Sequence, residues 1–277
     1  MTSLFCCPLC GEPLEREPGR LFCPRGHSFD VARQGYVNLL PAGRARSAVP
    51  GDSPEMMRAR RAFLGAGYYD FLAEGIGDAL ADLLPDGAVL LDAGCGEGHY
   101  DALVHENFRR RGKCLSLCGV DLSKTAAAMA ARTLPEGEFA VASVYHLPLA
   151  GESVHGVMNV FSPLSAEENA RVLRRGGIFL YVVPAARHLY EMKEILYDEP
   201  YENTERETPY PGFVYRDILR LEKTLDLDGA ALRDLFGMTP YFWTSPREGA
   251  ERLARCEGLR VTAAFNVHVF ERCEDPA

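Results

Sequence analysis

The pattern of apolar and polar positions between residues 88 and 183 switches repeatedly between one typical of strands and one typical of helices. Short apolar runs such as AVLLDAG (88–94) and CLSLCGVD (114–121) predict buried strands, and three more strands are expected at about 138–142, 155–161 and 177–183. The segments 99–111, 123–133 and 165–174 lie between these runs and have helical character. Strand and helix in turn predict an α/β fold with a parallel sheet covered on both faces.

Two helices are predicted ahead of this alternation. Residues 41–54, rich in Pro, Gly, Ser and Arg, indicate a linker. Asp52 or Ser53 can then cap a helix that carries MMRARRAFL, because Pro54 suits a first turn and Glu55 completes a capping box with Asp52. Apolar residues at helical spacing from 71 to 84 predict a second helix. Beyond residue 183 we expect an acidic loop at 197–213, then strand, helix and a last strand, LRVTAAFNVHVF.

Composition limits the class of protein. The chain has 277 residues, of which 47% are hydrophobic, enough for one main domain and a smaller one. The start MTSLFCCPLC lacks the features of a signal peptide, and no apolar run approaches the ~18 residues of a membrane span. We therefore expect a soluble cytoplasmic protein with no membrane contact. Nine cysteines, an odd number, argue against a disulfide framework in a reducing compartment.

The first 27 residues contain a metal-ligand pattern. Cys7 and Cys10 are separated by two residues, Cys23 and His27 by three, and twelve residues lie between the pairs. This spacing predicts two knuckles that close one tetrahedral zinc site, and four protein ligands make it structural. Cys6 has poorer spacing to Cys10 and is expected to be a bystander. The alternative is that these cysteines are reactive or incidental.

A glycine-rich loop follows the first predicted strand of the sheet, in VLLDAGCGEGHY (89–100). Gly94, Gly96 and Gly98 let a ligand approach the backbone at the edge where open α/β sheets bind ligands. A dinucleotide fingerprint would need a small residue at position 99, which is His99. With Asp92 ending the strand, the arrangement instead resembles the first motif of class I S-adenosylmethionine-dependent methyltransferases. Glycines that serve packing alone are the alternative.

Three further strand ends complete the candidate site. Asp121 can accept hydrogen bonds from the ribose hydroxyls of an adenosyl cofactor, although it could instead cap the helix near Ser123. Ser143 lies where this class contacts adenine. Asn159 and Phe161, in NVFSP, lie where the methyl acceptor meets the cofactor and are expected to hold a base by hydrogen bond and stacking. This segment departs from the N-P-P-Y signature of amino-group methyltransferases, which fits a ring-nitrogen acceptor and leaves the general base unassigned.

The chain resembles the bacterial 23S ribosomal RNA guanine-N1-methyltransferases, a family that includes a tylosin-resistance enzyme. The features that carry this resemblance are the zinc pattern and the segments FDVARQGYVNLL, GDSPEMMRARRAFL, LDAGCGEGHY and RHLYEMK. The resemblance runs from about residue 5 to residue 270. It implies a class I Rossmann-like methyltransferase domain preceded by a small zinc-binding domain that helps to hold an rRNA hairpin. The boundaries would be 1–40 for the zinc-binding module, 41–87 for linker and helices, and 88–277 for the methyltransferase domain.

The resemblance also implies a homodimer that binds S-adenosylmethionine and one structural zinc per chain. By position, Tyr69, Gly96, Glu97 and His188 would contact the cofactor. The alternatives are a half-buried aromatic under the sheet for Tyr69 and a locally satisfied residue at a helix start for His188.

Charge is distributed unevenly along the chain. The formal net charge is −9, yet residues 1–61 hold nine Arg and six Asp or Glu, a net +3, which leaves −12 for the remainder. RNA contact is therefore expected on the zinc module and linker, unless these arginines only form a solvated face. The candidates are Arg16, Arg20, Arg25, Arg44, Arg46, Arg58, Arg60 and Arg61. Two other functions stay open: a zinc-ribbon adaptor without catalysis, and a small-molecule methyltransferase.

Overall fold

The computed structural model describes residues 2–41, 53–205 and 209–273. Its amino-terminal part is a four-stranded antiparallel sheet in the order β1-β2-β3-β4. These strands are β1 (Thr2–Cys6), β2 (Pro13–Glu17), β3 (Arg20–Phe22) and β4 (Ser28–Asp30). Phe5, Leu14 and Leu21 are the large side chains fully buried in this small module. So few apolar groups make a weak core, which is the situation in which small domains depend on a metal.

The larger part is an eight-stranded sheet in the order β11-β12-β10-β9-β6-β7-β8-β5. Its strands are β5 (Val37–Asn38), β6 (Ala88–Ala93), β7 (Leu115–Asp121), β8 (Glu138–Val141), β9 (Val154–Val160), β10 (Leu173–Pro184), β11 (Phe213–Asp228) and β12 (Gly258–Arg272). The pairs from β10 through β9, β6, β7 and β8 to β5 are parallel, as the alternating pattern predicts, and β12 and β11 add an antiparallel edge. Chain order reverses around β6, so its carboxyl end borders the crevice where such sheets bind ligands.

Helices cover both faces of the large sheet. They are α1 (Pro54–Gly65), α2 (Asp70–Leu83), α3 (His99–Arg110), α4 (Lys124–Thr133), α5 (Ala166–Val172), α6 (Tyr190–Leu196), α7 (Gly229–Met238), α8 (Tyr241–Thr244) and α9 (Arg247–Ala254). Ser53 caps α1, since its side chain accepts from the Met56 backbone N–H. The alternative cap, Asp52, and most of the predicted linker lie outside the described residues. None of the helices in the described ranges is both long and apolar enough to cross a membrane.

The zinc module is attached to the large sheet rather than tethered beside it. Glu138, at the start of β8, accepts hydrogen bonds from the Ser3 hydroxyl at 2.5 Å and the Leu4 N–H at 3.1 Å, and pairs with Arg16 at 3.0 Å. Residues 37–38, inside the predicted 1–40 module, form β5 at the edge of the large sheet. The module is therefore fixed near the edge that carries β8.

Candidate active site and metal centre

The structure brings the four predicted metal ligands together. The ligand atoms of Cys7, Cys10, Cys23 and His27 all lie within 4.8 Å of one another. His27 Nδ1 is 3.4 Å from the sulfurs of both Cys7 and Cys23, and the sulfurs of Cys10 and Cys23 are 3.7 Å apart. Zinc–sulfur bonds of about 2.3 Å in a tetrahedron give sulfur–sulfur edges of about 3.8 Å. The donor set and its spacing therefore fit one zinc ion, with no open position for substrate.

Cys6 lies outside this cluster, as its spacing indicates. Its backbone N–H donates to the Pro148 carbonyl at 2.8 Å, and its side chain is buried. Cys6 thus contributes to the attachment of the module to the large sheet.

A cleft of about 1410 Å³ opens at the carboxyl ends of the parallel strands. Eight of the predicted site residues line it: Tyr69, Asp92, Gly94, Gly96, Glu97, Asp121, Phe161 and His188. The site therefore combines the strand ends at β6 and β7 with the helical segment before β6 and the segment after β10.

The three glycines of the loop have different structural roles. A Cβ at Gly94 would lie 2.0 Å from the Ser162 hydroxyl, and one at Gly98 would lie 2.8 Å from the Ala130 backbone on α4, so both permit close packing. Gly96 has a φ of +53° and open space where a Cβ would be. This open cradle at the cleft fits a ligand lying against the backbone.

Asp121 links the glycine loop to the next helix. Its Oδ2 accepts from the Gly96 N–H at 3.1 Å, and its Oδ1 accepts from the Ser123 N–H at 2.8 Å. Ser123, not Asp121, caps α4, because the Ser123 side chain accepts from the Ala126 N–H. The carboxylate thus has a fixed orientation at the cleft.

Two buried aromatic side chains, Tyr69 and His188, also line the cleft. Tyr69 is 3% exposed, and its hydroxyl has no hydrogen-bond partner among the described residues. His188 Nδ1 accepts from the Ala264 N–H at 3.2 Å, which leaves the ring proton on Nε2. Burial, together with the nearby Lys193, lowers the pKa of His188 to about 3. His188 is therefore a neutral ring at any physiological pH.

Phe161 combines exposure with backbone strain. It has a φ of +58°, in the left-handed region that side chains rarely adopt, and its side chain is 45% exposed. Its ring contacts Phe265 at a centroid distance of 5.3 Å and Tyr100 at 6.4 Å. A strained, exposed aromatic residue at a cleft is the kind of feature that concentrates at ligand sites.

Asn159 and Ser143 lie behind the cleft and are not among its lining residues. The buried Asn159 amide donates to the Pro163 carbonyl at 3.0 Å and accepts from the Ser162 N–H at 3.2 Å, which holds the turn that carries Phe161. Ser143 Oγ accepts from the Tyr145 N–H at 3.2 Å. Both side chains shape turns whose neighbours line the cleft.

Several lining residues were not predicted. Leu122 and Tyr145, 44% and 52% exposed, present apolar surface at the cleft, and Tyr100 lines it as well. Arg60, predicted only as an RNA contact, is also a lining residue. Burial raises the pKa of the Glu97 carboxyl, opposed by the charges of nearby arginines on α1. The sequence did contain a signal for Leu122, because this leucine directly follows the acidic residue that ends a predicted strand.

The predicted RNA-binding arginines fall into two groups. Arg16, Arg20 and Arg25, in the module, are paired with Glu138, Glu17 and Glu12. Arg58 and Arg61 are exposed on α1, where Arg60 lines the cleft. Arg44 and Arg46 lie outside the described residues.

Comparison with known proteins gives the family. Residues 5–48 match a family of zinc ribbons described as "RlmA, N-terminal", and residues 90–177 match the family described as "Methyltransferase domain". A protein of Streptomyces fradiae named 23S rRNA (guanine(748)-N(1))-methyltransferase is 37% identical over 261 residues, which cover 91% of each chain. The chain belongs to the 23S rRNA (guanine-N1)-methyltransferase family. A Bacillus subtilis relative, provisionally named for the same activity, is 33% identical over 282 residues, 96% of each chain.

Family membership confirms the predicted fold, the S-adenosylmethionine cofactor and the zinc-binding module. A solved structure, the YcgJ protein of Bacillus subtilis, has the same core fold. It has a TM-score of 0.50 and 16% identity, and the match covers 73% of this chain and 98% of that one.

Proposed function

We propose that this protein transfers a methyl group from S-adenosylmethionine to N1 of a guanine in a 23S rRNA hairpin. The observation that carries the proposal is the 37% identity to the Streptomyces fradiae enzyme over 91% of both chains. The cleft supports it, because acidic strand ends and an open glycine cradle lie beside a strained, exposed aromatic side chain.

The described residues fit the cofactor. Asp121 would accept from the ribose hydroxyls, and Gly96 would let the cofactor lie against the backbone. The polar methionine end of the cofactor would form hydrogen bonds with the Tyr69 hydroxyl and Asp92 Oδ1. Both atoms are buried and have no partner in the described part of the chain. Leu122 and Tyr145 offer apolar surface to the adenine. Bound S-adenosylmethionine supplies an electrophilic methyl group on a sulfonium.

Phe161 would stack on the guanine. Its ring is exposed at the cleft and supported from behind by Phe265 and Tyr100, so a planar base has a rigid apolar surface to lie on. Asn159 holds this ring in place through its two bonds to the 162–163 turn. Methyl transfer from an activated donor needs chiefly a positioned acceptor, and this arrangement supplies position.

The N1 proton of guanine must leave during the reaction. His188 is a poor candidate for its acceptor, because its pKa lies near 3 and its Nδ1 lone pair is engaged by Ala264. Its Nε2–H is a donor and fits a carbonyl or carboxylate oxygen instead. The acceptor is therefore one of the carboxyl groups of the cleft. Among these, Glu97 interacts electrostatically with Arg60 and Arg61 of α1.

RNA contact is proposed for the exposed arginines of α1 and for the zinc module. Arg58 and Arg61 are exposed next to Arg60 at the cleft, whereas the paired arginines of the module have part of their charge neutralised locally. Exposed pairs of this kind are weak, so phosphates can compete for them. The attachment through Glu138 keeps the zinc module in fixed relation to the large sheet that carries the cleft.

Guanine N1 lies on the Watson–Crick edge, so pairing should block the reaction. The test is transfer of labelled methyl to two RNAs of the same sequence: a hairpin with the guanine unpaired and a duplex in which it is paired. We expect faster methylation of the hairpin, and measurable transfer when inosine, which keeps N1, replaces guanine. Methylation of a free nucleotide or small amine but not of the hairpin would favour the small-molecule alternative, and cofactor binding without any transfer would favour the adaptor.

The homodimer and the cytoplasmic location implied by the sequence remain predictions. Light scattering of the purified protein at several concentrations gives the mass of the assembly, and a monomeric mass throughout would refute the homodimer. Fractionation of cells gives the location.

A further inference from the structure

The single tryptophan of the chain is exposed beside the cleft. Trp243, in α8, is 62% exposed, more than any other large apolar side chain in the described part of the chain. It is not a lining residue of the cleft, but Pro240 and Tyr241, which come shortly before it in sequence, both line the cleft. A single exposed apolar residue is ordinary in a folded protein, so what distinguishes this one is the way in which its ring is held.

Two neighbours fix the orientation of the indole. Its Nε1–H donates to Sδ of Met56, a cleft-lining residue of α1, at 2.9 Å. Its ring meets Phe242 edge to face, with a centroid distance of 4.8 Å and an interplanar angle of 88°. Phe242 in turn contacts Phe236 of α7 at 5.6 Å. The indole is thus attached to two helices, and a ring that is already ordered loses little conformational freedom when a ligand packs on it.

The helix that holds this ring is basic. α1 carries three arginines and one acidic residue, Glu55, whereas α8 has no charged residue. Arg58 and Arg61 are exposed, and Arg60, one helical turn after Met56, lines the cleft. The rim formed by α1 and α8 therefore presents positive charge and an exposed indole on two elements that are in contact.

This combination of groups suits a single strand of RNA. Sites for single-stranded nucleic acid combine basic side chains, which contact the phosphates, with aromatic rings on which unpaired bases stack. A second copy of the chain suits the rim less well. A two-fold interface centred there would bring the α1 arginines of both copies together, and like charges across an interface are unfavourable.

We propose that Trp243 stacks on an unpaired base of the RNA outside the cleft, while the target guanine enters the cleft and stacks on Phe161. The inference rests on the proposed rRNA reaction and gives that reaction a second base-binding residue. Because Phe161 lines the cleft and Trp243 does not, the two rings receive different bases. The exposed arginines of α1 contact phosphates near the base on Trp243. Two stacked bases fix the position of the strand, which presents the target guanine to the cofactor.

The fluorescence of the protein reports on this one residue, because the chain has a single tryptophan. The full chain with its zinc is excited at a wavelength that tyrosine does not absorb, and the emission is titrated with acrylamide, which quenches exposed indoles. We expect strong quenching by acrylamide in the free protein. Addition of the hairpin with the unpaired guanine should lower the emission and protect the indole from acrylamide. A duplex of the same sequence, whose bases are already stacked on each other, should protect it much less.

Substitutions give a second measurement. Trp243→Ala should weaken binding of the hairpin about 5- to 150-fold, the range for loss of one stacked base, while affinity for S-adenosylmethionine stays near that of the wild type. Trp243→Phe keeps an aromatic ring and should retain most of the RNA affinity. Val214→Ala, which shortens a 54% exposed side chain on β11, is the matched control.

Salt dependence separates stacking from contact with phosphates. Trp243→Ala removes no charge, so the slope of log affinity against log salt should be that of the wild type. Arg58→Gln should lower this slope by about 0.7, the value for one phosphate contact on a single strand. A variant that had merely lost its fold would bind neither the RNA nor the cofactor.

Three results would overturn the proposal. One is a hairpin that is bound and methylated while acrylamide still quenches Trp243 as in the free protein, which decides the matter even if Trp243→Ala does not fold and leaves the proposed rRNA reaction intact. Another is a folded Trp243→Ala protein that binds the hairpin as tightly as the wild type. The third is protection from acrylamide that rises with protein concentration in the absence of RNA, since this assigns the ring to a contact between copies. A hairpin that is neither bound nor methylated would refute the proposed reaction itself, and this inference with it.

Discussion

Removal of the Asp121 carboxylate should weaken cofactor binding. Asp121→Ala deletes an acceptor whose two oxygens are held in place by the N–H groups of Gly96 and Ser123, at 3.1 and 2.8 Å. Hydrogen bonds to a charged group contribute roughly 1.5 to 3 kcal/mol. At about 1.4 kcal/mol per tenfold change, S-adenosylmethionine affinity should fall about 10- to 150-fold.

The assay is calorimetric titration of the variant and the wild type with S-adenosylmethionine under identical conditions. Thermal unfolding of both proteins without cofactor checks that the two lost backbone contacts have not unfolded the loop. Asp226→Ala, which removes an exposed carboxylate paired with Arg260 at 2.7 Å, serves as the control for loss of charge. Unchanged affinity in a folded Asp121→Ala protein would refute the assignment of the ribose to this residue.

Four other substitutions test separate parts of the structure. Cys23→Ser should abolish stoichiometric zinc, measured by elemental analysis, and weaken RNA binding while cofactor affinity stays near that of the wild type; full zinc content would contradict the metal site. Gly98→Ala should lower the melting temperature because its Cβ meets the Ala130 backbone, whereas Gly96→Ala should mainly weaken cofactor binding. A larger loss of stability from Gly96→Ala, with a larger loss of cofactor binding from Gly98→Ala, would disprove the roles given to these glycines. Phe161→Gly removes a left-handed non-glycine residue, a conformation that costs about 1 to 2 kcal/mol, so stability should be kept or raised while methyl transfer to RNA falls at least tenfold; undiminished transfer would exclude stacking on Phe161.

The alternation of strands and helices was predictable from local pattern. Buried parallel strands such as β6 and β7 are continuous apolar runs, and their ends carry the acidic residues that mark the cleft. The metal ligands were predictable for a similar reason, because knuckle spacing is a local property of the chain. Local signals of this kind need no knowledge of which elements pack together.

Attachment of the zinc module was not predictable from local pattern. Glu138 contacts Ser3 and Leu4, which precede it by 135 and 134 residues. No local sequence pattern around these residues indicates the contact. Residues 37–38 join the large sheet for the same reason, through pairing with β8. The burial of Asp101 likewise depends on how α3 packs, because a carboxylate in a first helical turn is ordinarily a solvated residue.

Side-chain direction was the other quantity that the sequence left undetermined. Asn159 and Ser143 are close in sequence to residues that line the cleft, yet their own polar groups are engaged in holding adjacent turns. The residues on those turns, Phe161 and Tyr145, face the cleft in their place. The position of a residue along a strand determines which end of the sheet it is near. It does not determine whether the side chain of a residue at the strand end points into the cleft or away from it.

Mass mapping of nucleosides in RNA methylated by the purified protein tests the proposed rRNA reaction. A 23S rRNA transcript is incubated with the protein and S-adenosylmethionine, digested, and analysed for the position and chemical form of the added methyl group. We expect N1-methylguanosine at one guanine of a hairpin loop, and its loss when Phe161 is replaced by glycine. A digest without N1-methylguanosine, from protein that binds the cofactor and contains zinc, would contradict it.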